Sequence, residues 1–295
     1  MQNYVLSCCS TADLTKQHLQ ERNIKYLCFH YFVDDKEYID DMFTTITPTE
    51  FYDLMRKGAM TKTSQVNVNE YYEYFIEYAK QNITLVHVTF ALGLSGSYNS
   101  AIIAKNMIHE EYPDWECYVI DSNCASSGYG MFMDTLADKR DEGFSAKQLA
   151  DYAEENKLTV HHEFLATELK YFVRGGRVSK GAGFIGSILN ICPVLDLSVD
   201  GKLVVRKKVR GKKKAIDELV SKMVSDCFKG YDYDDKCYIC HSDDLKDAEI
   251  LKTKLENTFP NIKGKIKIYS IGTTIGSHSG PGTVALFYYG NKRTN

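Results

Sequence analysis

Four segments of this 295-residue chain gather glycine, hydroxyl and basic residues at the ends of predicted strands and helices, where the loops of open α/β sheets hold ligands. They are Thr63-Ser64-Gln65, Gly93-Leu94-Ser95-Gly96-Ser97, Arg174-Gly175-Gly176-Arg177 with the basic run Arg206–Lys214, and Gly276-Ser277-His278-Ser279-Gly280-Pro281-Gly282. None contains Asp or Glu. Hydroxyls, an imidazole and guanidinium groups without a carboxylate suit an anion better than a metal ion or a general-base reaction. Gly93–Ser97 follows a predicted strand and opens a helix, so backbone N–H groups and the Ser95 or Ser97 hydroxyl can meet one carboxylate or phosphate. The same residues also read as a plain turn capped by Ser97. His278 falls on a predicted loop whose glycines let the backbone approach a ligand, with a solvated loop histidine as the alternative.

The elements that must position these segments follow from periodicity. In the first half, apolar runs at Tyr4–Leu6, Tyr26–Val33, Thr84–Thr89 and Tyr118–Ile120 predict strands between helical stretches, the pattern of a doubly wound, mostly parallel sheet. Tyr71, Phe75, Tyr78 and Ala79 share one helical face behind an Asn67 cap, and core packing accounts for that stripe. Helices are also predicted at Ser100–Tyr112, Gly128–Glu142 and Ala146–Asn156, the last capped by Ser145. The second half differs. Pro193–Val199 and Lys202–Val209 flank Asp200-Gly201, a two-residue hairpin signal. Helices at Lys213–Phe228 and Leu245–Phe259 and strands at Cys237–Cys240, Ile266–Ile271 and Val284–Tyr289 complete a mixed α/β unit. The expected architecture is α/β in two domains, 1–158 and 159–295.

Composition supports an ordinary globular protein: 44% hydrophobic and 25% charged residues with five prolines. The first ten residues, Met1–Ser10, carry no secretory pattern, and no run approaches the ~18 apolar residues of a membrane span, so a cytoplasmic protein with reduced thiols is expected. Cys237-Tyr238-Ile239-Cys240 has metal-like spacing but lies on a predicted strand, where alternation turns the two sulfurs apart; neither it nor Cys8-Cys9 is taken as a metal site. The net charge of −3 offers no global attraction to nucleic acid, and the seven basic residues of Arg206–Lys214 come without aromatic interleaving or a helix-turn-helix signature. The run reads as a solvated face or an anion-docking or partner-docking surface.

Read together, Ser10-Thr11-Ala12-Asp13-Leu14, Thr63–Gln65, Gly93–Tyr98, Val119–Ser122, Ala125–Gly128, Leu169–Arg177, Lys208–Ala215, His241-Ser242-Asp243 and Gly276–Gly282 resemble the DegV family over essentially the whole chain. That resemblance implies a non-enzymatic carrier holding one long-chain fatty acid at the junction of the two domains, its tail in an apolar tunnel, and acting as the acyl-binding subunit of a fatty-acid kinase system in bacterial phospholipid metabolism. It also implies that Thr63, Ser95, Arg210 and His278 hold the carboxylate, with Ser64, Gly96, Ser97 and Ser277 beside them, and that Arg174 and Arg177 face the kinase. No cofactor is implied, and nucleic acid is not expected. A monomer is expected, with transient membrane contact. At ~0.8 kcal/mol per methylene, a tail of about 15 methylenes contributes on the order of 12 kcal/mol before ordering costs. The sequence has no Gly-x-x-x-x-Gly-Lys loop for ATP, so phosphorylation falls to a separate subunit. It departs from the family pattern at Cys9, where Asp is usual, at Ala91-Leu92, in place of a Ser pair, and at Ser97, in place of Thr. The rival reading is a serine acyl hydrolase using Ser95 and His278, although Ser97 stands where a nucleophile elbow needs Gly.

Overall fold

The computed structural model describes residues 4–179, 181 and 190–294; Met1–Asn3, the start of the segment read above as lacking a secretory pattern, lie outside the described residues. The fold is α/β, built on two principal sheets. The first is parallel, in the order β2 (Lys25–Leu27), β1 (Tyr4–Cys9), β6 (Thr84–Thr89), β7 (Cys117–Asp121). Its helices include Val68–Lys80, Ser97–Glu111, Ser126–Asp141 and Ala146–Asn156. Asn67 and Ser145 cap as expected, each accepting from the third helical N–H while Glu70 or Gln148 answers with its side chain.

The second sheet is mixed, in the order β10 (Leu203–Arg210), β9 (Ile191–Leu197), β8 (Val160–Leu165), β13 (Val284–Tyr289), β11 (Cys237–His241), β12 (Lys267–Ser270). Only β11 and β12 run parallel; the other neighbours are antiparallel. The β9–β10 hairpin forms where Asp200-Gly201 predicts it, but not as a two-residue turn. Ser198 N–H donates to the Lys202 carbonyl at 2.9 Å, and Gly201 closes the intervening loop at φ +68°.

A third, small antiparallel sheet was not anticipated. It joins β4 (Lys36–Ile39), β3 (His30–Val33) and β5 (Thr61–Ser64). The run Tyr26–Val33, read as one strand, therefore splits at Cys28-Phe29, with β2 in the parallel sheet and β3 in this one. Period-2 patterning cannot reveal a change of sheet within one apolar run.

The second departure from expectation concerns His278. It sits not on a loop but on the short helix Thr273–Ser279, which side chains from the first half of the chain hold in place. Asp13 accepts from the Gly272 N–H at 3.0 Å and Asp40 from the Thr273 hydroxyl at 2.9 Å. The Tyr52 hydroxyl donates to the Ile271 carbonyl at 2.8 Å, and Thr61 Oγ1 to the Ser277 carbonyl at 3.2 Å. Both carboxyl groups are buried, which pushes their pKa values up against the hydrogen bonds that lower them. Gly276 packs against the Tyr52 ring, and a Cβ there would lie 2.5 Å from the fully buried hydroxyl. Gly276→Ala is therefore expected to cost about 1–3 kcal/mol of stability through overpacking. Urea unfolding checks this; an unchanged midpoint would show that the helix is not clamped as described.

Candidate functional site

Where the small sheet, the helix Thr273–Ser279 and the second sheet meet, a cavity of about 340 Å³ opens. That lies within the ~300–1,000 Å³ range of small-molecule pockets, near its lower end, as suits a slender ligand. Its walls are mainly apolar. Phe29 and Phe90 come from the first half, and Phe164, Phe172 and Phe287 from the second. Phe164 reaches it because β8 alternates: His162 and Phe164 both border the cavity. His162 is locked as a neutral ring, its Nε2 accepting from the Ala125 N–H at 3.0 Å, and burial holds its pKa well below the usual value.

The polar part of the lining is a connected group. Thr63 Oγ1 and His278 Nε2 lie 2.7 Å apart. Burial, with Arg177 and Arg174 adding repulsion, lowers the His278 pKa to about 3, so the imidazole is neutral. With the proton on Nε2, Thr63 accepts it and keeps its own O–H to donate into the cavity. His278 Nδ1 has no hydrogen-bond partner among the described residues, and Gly175 leaves no room for a Cβ against it. Ser95 Oγ donates to Gln65 Oε1 at 3.2 Å and accepts from the Ser97 N–H at 3.2 Å, while Gln65 Nε2 reaches Ser100 at 3.0 Å.

Arg177 supplies the positive charge. Its Nε and Nη2 donate to the Leu94 carbonyl at 3.2 and 3.0 Å and its Nη1 to the Gly175 carbonyl at 2.6 Å. Three of the five guanidinium N–H groups are thus occupied among the described residues, and the half-buried side chain borders the cavity. Sequence reasoning had assigned Arg177 to a partner surface and Arg210 to the ligand. In the structure Arg177 borders the cavity. Arg210 is exposed at the end of β10 and is not among the described residues that line the cavity.

The other expected residues divide. Thr63, Ser64, Ser95 and His278 border the cavity. Gly96, Ser97 and Ser277 do not: Gly96 caps the helix Ser97–Glu111, and Ser277 Oγ donates to the Thr273 carbonyl at 2.8 Å. Ser97 is buried against Tyr71, with the two hydroxyls 2.6 Å apart, and Cys9 Sγ approaches the same Tyr71 oxygen at 3.3 Å. Two of the positions that depart from the resembled pattern, Cys9 and Ser97, are therefore the ends of one bridge. Arg174 is exposed, bonds Thr61 Oγ1 at 3.0 Å and lies 5.2 Å from the centre of the Tyr171 ring. Gln65, Arg177 as a lining residue and the five phenylalanines escaped the sequence reading. For Gln65 the signal was present in the Thr63-Ser64-Gln65 segment.

No carboxylate bonds His278 among the described residues, and Ser95 donates to Gln65 rather than to an imidazole. Ser95 and His278 assemble no Ser–His–acid triad among the described residues. In the basic run, Arg206 pairs with Asp196, Lys207 with Glu218, and Lys212 with Asp244 and Asp247, so part of its charge is neutralised in place. No helix among the described residues is long and apolar enough to cross a membrane.

Known proteins share this family and fold. The family model described as "Uncharacterised protein, DegV family" matches residues 9–291. A DegV domain-containing protein of Clostridium perfringens is 36% identical over 293 residues, covering 99% of each chain. A fatty acid binding DegV family protein from Streptococcus agalactiae superposes with a TM-score of 0.82 at 26% identity, covering 99% of this chain and 100% of the other. The Streptococcus pneumoniae Fatty Acid Kinase B3 protein, solved loaded with linoleic acid, shares the fold with a TM-score of 0.81 at 22% identity, over 99% and 100% of the two chains.

The histidine gives a test that needs no ligand. An unfolded histidine titrates near 6.5 and His278 in the folded chain near 3, so between those values the unfolded chain binds more protons. The stability contributed by the neutral ring is complete above about pH 6.5 and is lost as pH falls toward 3. His278→Gln should lose less stability than wild type between pH 7 and about 4.5 in urea unfolding. Identical pH dependence in the two proteins would place His278 in a solvated environment.

Proposed function

We propose that this chain, which belongs to the DegV family, binds one long-chain fatty acid, its tail against the phenylalanine walls and its carboxylate among Thr63, Ser95, His278 and Arg177. The observation that carries the reading is one apolar cavity whose polar lining holds hydroxyls, an amide, imidazoles and a guanidinium but, among the described residues, no carboxylate. A carboxylate taken out of water stays ionised only where several donors and a positive charge meet it. Thr63 offers an O–H, and Ser95 can turn its O–H from Gln65 to the ligand. The two remaining N–H groups of Arg177 supply a charged partner. The neutral His278 orients Thr63 without adding a charge to be buried. That the Streptococcus agalactiae relative is a fatty acid binding protein supports the assignment.

The finer proposal is a carrier that presents this carboxylate to a fatty-acid kinase. A carboxylate oxygen would attack the γ-phosphorus of ATP held by that kinase, releasing ADP and leaving an acyl phosphate on the carrier. The exposed Arg174, next to the site on the same turn as Arg177, and the exposed Arg210 are the proposed docking charges. The cytoplasm is the expected compartment, a single chain the expected carrier, and the units 1–158 and 159–295 the proposed domains.

Calorimetric titration with palmitate tests the site. Ser95→Ala and Thr63→Val should each weaken binding by about 10- to 100-fold, the loss of one hydrogen bond to a charged group, and Thr63→Val should also lower the unfolding midpoint because it leaves His278 Nε2 unpaired. Equal affinity in wild type and both variants would remove these hydroxyls from the site, and ester turnover abolished by Ser95→Ala would favour a hydrolase instead.

A further inference from the structure

The face of β8 turned away from the acyl cavity carries His161 and Glu163, which alternate with His162 and Phe164. They border a second, polar cavity of about 210 Å³ that also touches Asp226, at the end of the helix Lys212–Asp226, and Asn291. We infer that His161, Glu163 and Asp226 form a binding site for one divalent first-row transition cation.

The donor atoms are already arranged for it. One ligand atom from each of the three side chains lies within 4.8 Å of the others. His161 Nε2 is 2.7 Å from the Asn291 carbonyl. A carbonyl only accepts, so the proton is on Nε2 and the Nδ1 lone pair is left bare. That lone pair faces Asp226 Oδ2 at 3.8 Å, two acceptors with no proton between them. A histidine whose second nitrogen donates to a backbone carbonyl is the usual posture of a metal ligand, because the outer hydrogen bond fixes tautomer and ring. Stacking on Tyr288, at 5.1 Å between ring centres and 17° between planes, fixes the ring further.

Glu163 is the second, independent observation. It is 3% exposed and borders this cavity, and its carboxyl group makes no hydrogen bond or ion pair among the described residues. The neighbouring acid is provided for: Arg206, at the register shift in β10, grips both oxygens of Asp196 at 2.8 and 2.7 Å. A buried carboxyl left without a partner is costly, and the cost is relieved by a cation in the space it faces. One imidazole and two carboxylates favour Mn²⁺, Fe²⁺ or Zn²⁺ over the all-oxygen preference of Ca²⁺ and the thiolate preference of Cu⁺. Bonds of about 2.0–2.2 Å require the donors to draw closer than they stand, which rotation of the two carboxylate side chains supplies. The competitors are the cations already there: Lys222, whose ammonium lies 2.6 Å from Asp226 Oδ2, and Lys292 and Arg293, which line the same cavity.

Mn²⁺ added to the full-length protein is the probe, read by loss of the electron-spin resonance signal of free hydrated Mn²⁺. Wild type should take up one Mn²⁺ per chain, displaced by Zn²⁺. Glu163→Gln and Asp226→Asn should each weaken uptake about tenfold or more, whereas Lys222→Met, which removes one competing ammonium, should tighten it. In the wild type, bound Mn²⁺ should broaden the imidazole resonances of His161 before those of the other histidines, a readout that survives if a variant fails to fold. No uptake, uptake equal in wild type and the two acid variants, or broadening that spares His161 would each overturn the site.

Discussion

The short helix Thr273–Ser279 is held at its start by two buried carboxyl groups, Asp13 on the Gly272 N–H and Asp40 on the Thr273 hydroxyl. Further along, Tyr52, Thr61 and Thr63 bond its flanking and internal groups. All five side chains come from the first 63 residues. Negative or polar groups at a helix start satisfy N–H donors that have no partner within the helix. The consequence reaches past capping: His278 has its place only when both halves of the chain are folded and docked. The polar end of the cavity that His278 borders thus depends on the junction of this helix with residues 13–63.

That junction explains the economy of charge in the site. His278 stays neutral because burial and two nearby guanidinium groups disfavour its protonation, so the positive charge on the described cavity lining belongs to Arg177. Charge is carried by the group whose pKa lies far above any working pH, and orientation by the group that can remain uncharged. The hydroxyls of Thr63 and Ser95 complete the set, one oriented by His278 and the other parked on Gln65.

The doubly wound first sheet, the hairpin region and the polar segments Thr63–Gln65, Gly93–Ser97 and Gly276–Gly282 were legible in the sequence, because periodicity and glycine-hydroxyl clusters are local signals. The placements of Arg177 and Arg210 were not. Both sit in basic, glycine-flanked segments, and only tertiary placement puts the first against the cavity and leaves the second in solvent. The small sheet of β3, β4 and β5 was missed because Lys36–Ile39 and Thr61–Ser64 are short and partly polar, and His30–Val33 was merged with its neighbour. Placing His278 on a loop followed from reading Gly276, Gly280 and Pro281 as breakers. Clamping from outside the segment overrode that local preference. The resemblance carried the fatty acid itself; residue chemistry alone reached no further than an anion.

Native mass spectrometry of the protein as purified, with the lipid then released and identified, tests the central claim most directly. The account predicts one added mass per chain, corresponding to a single long-chain fatty acid bound intact. A chain that carries no added mass and takes up none on incubation with palmitate would contradict it.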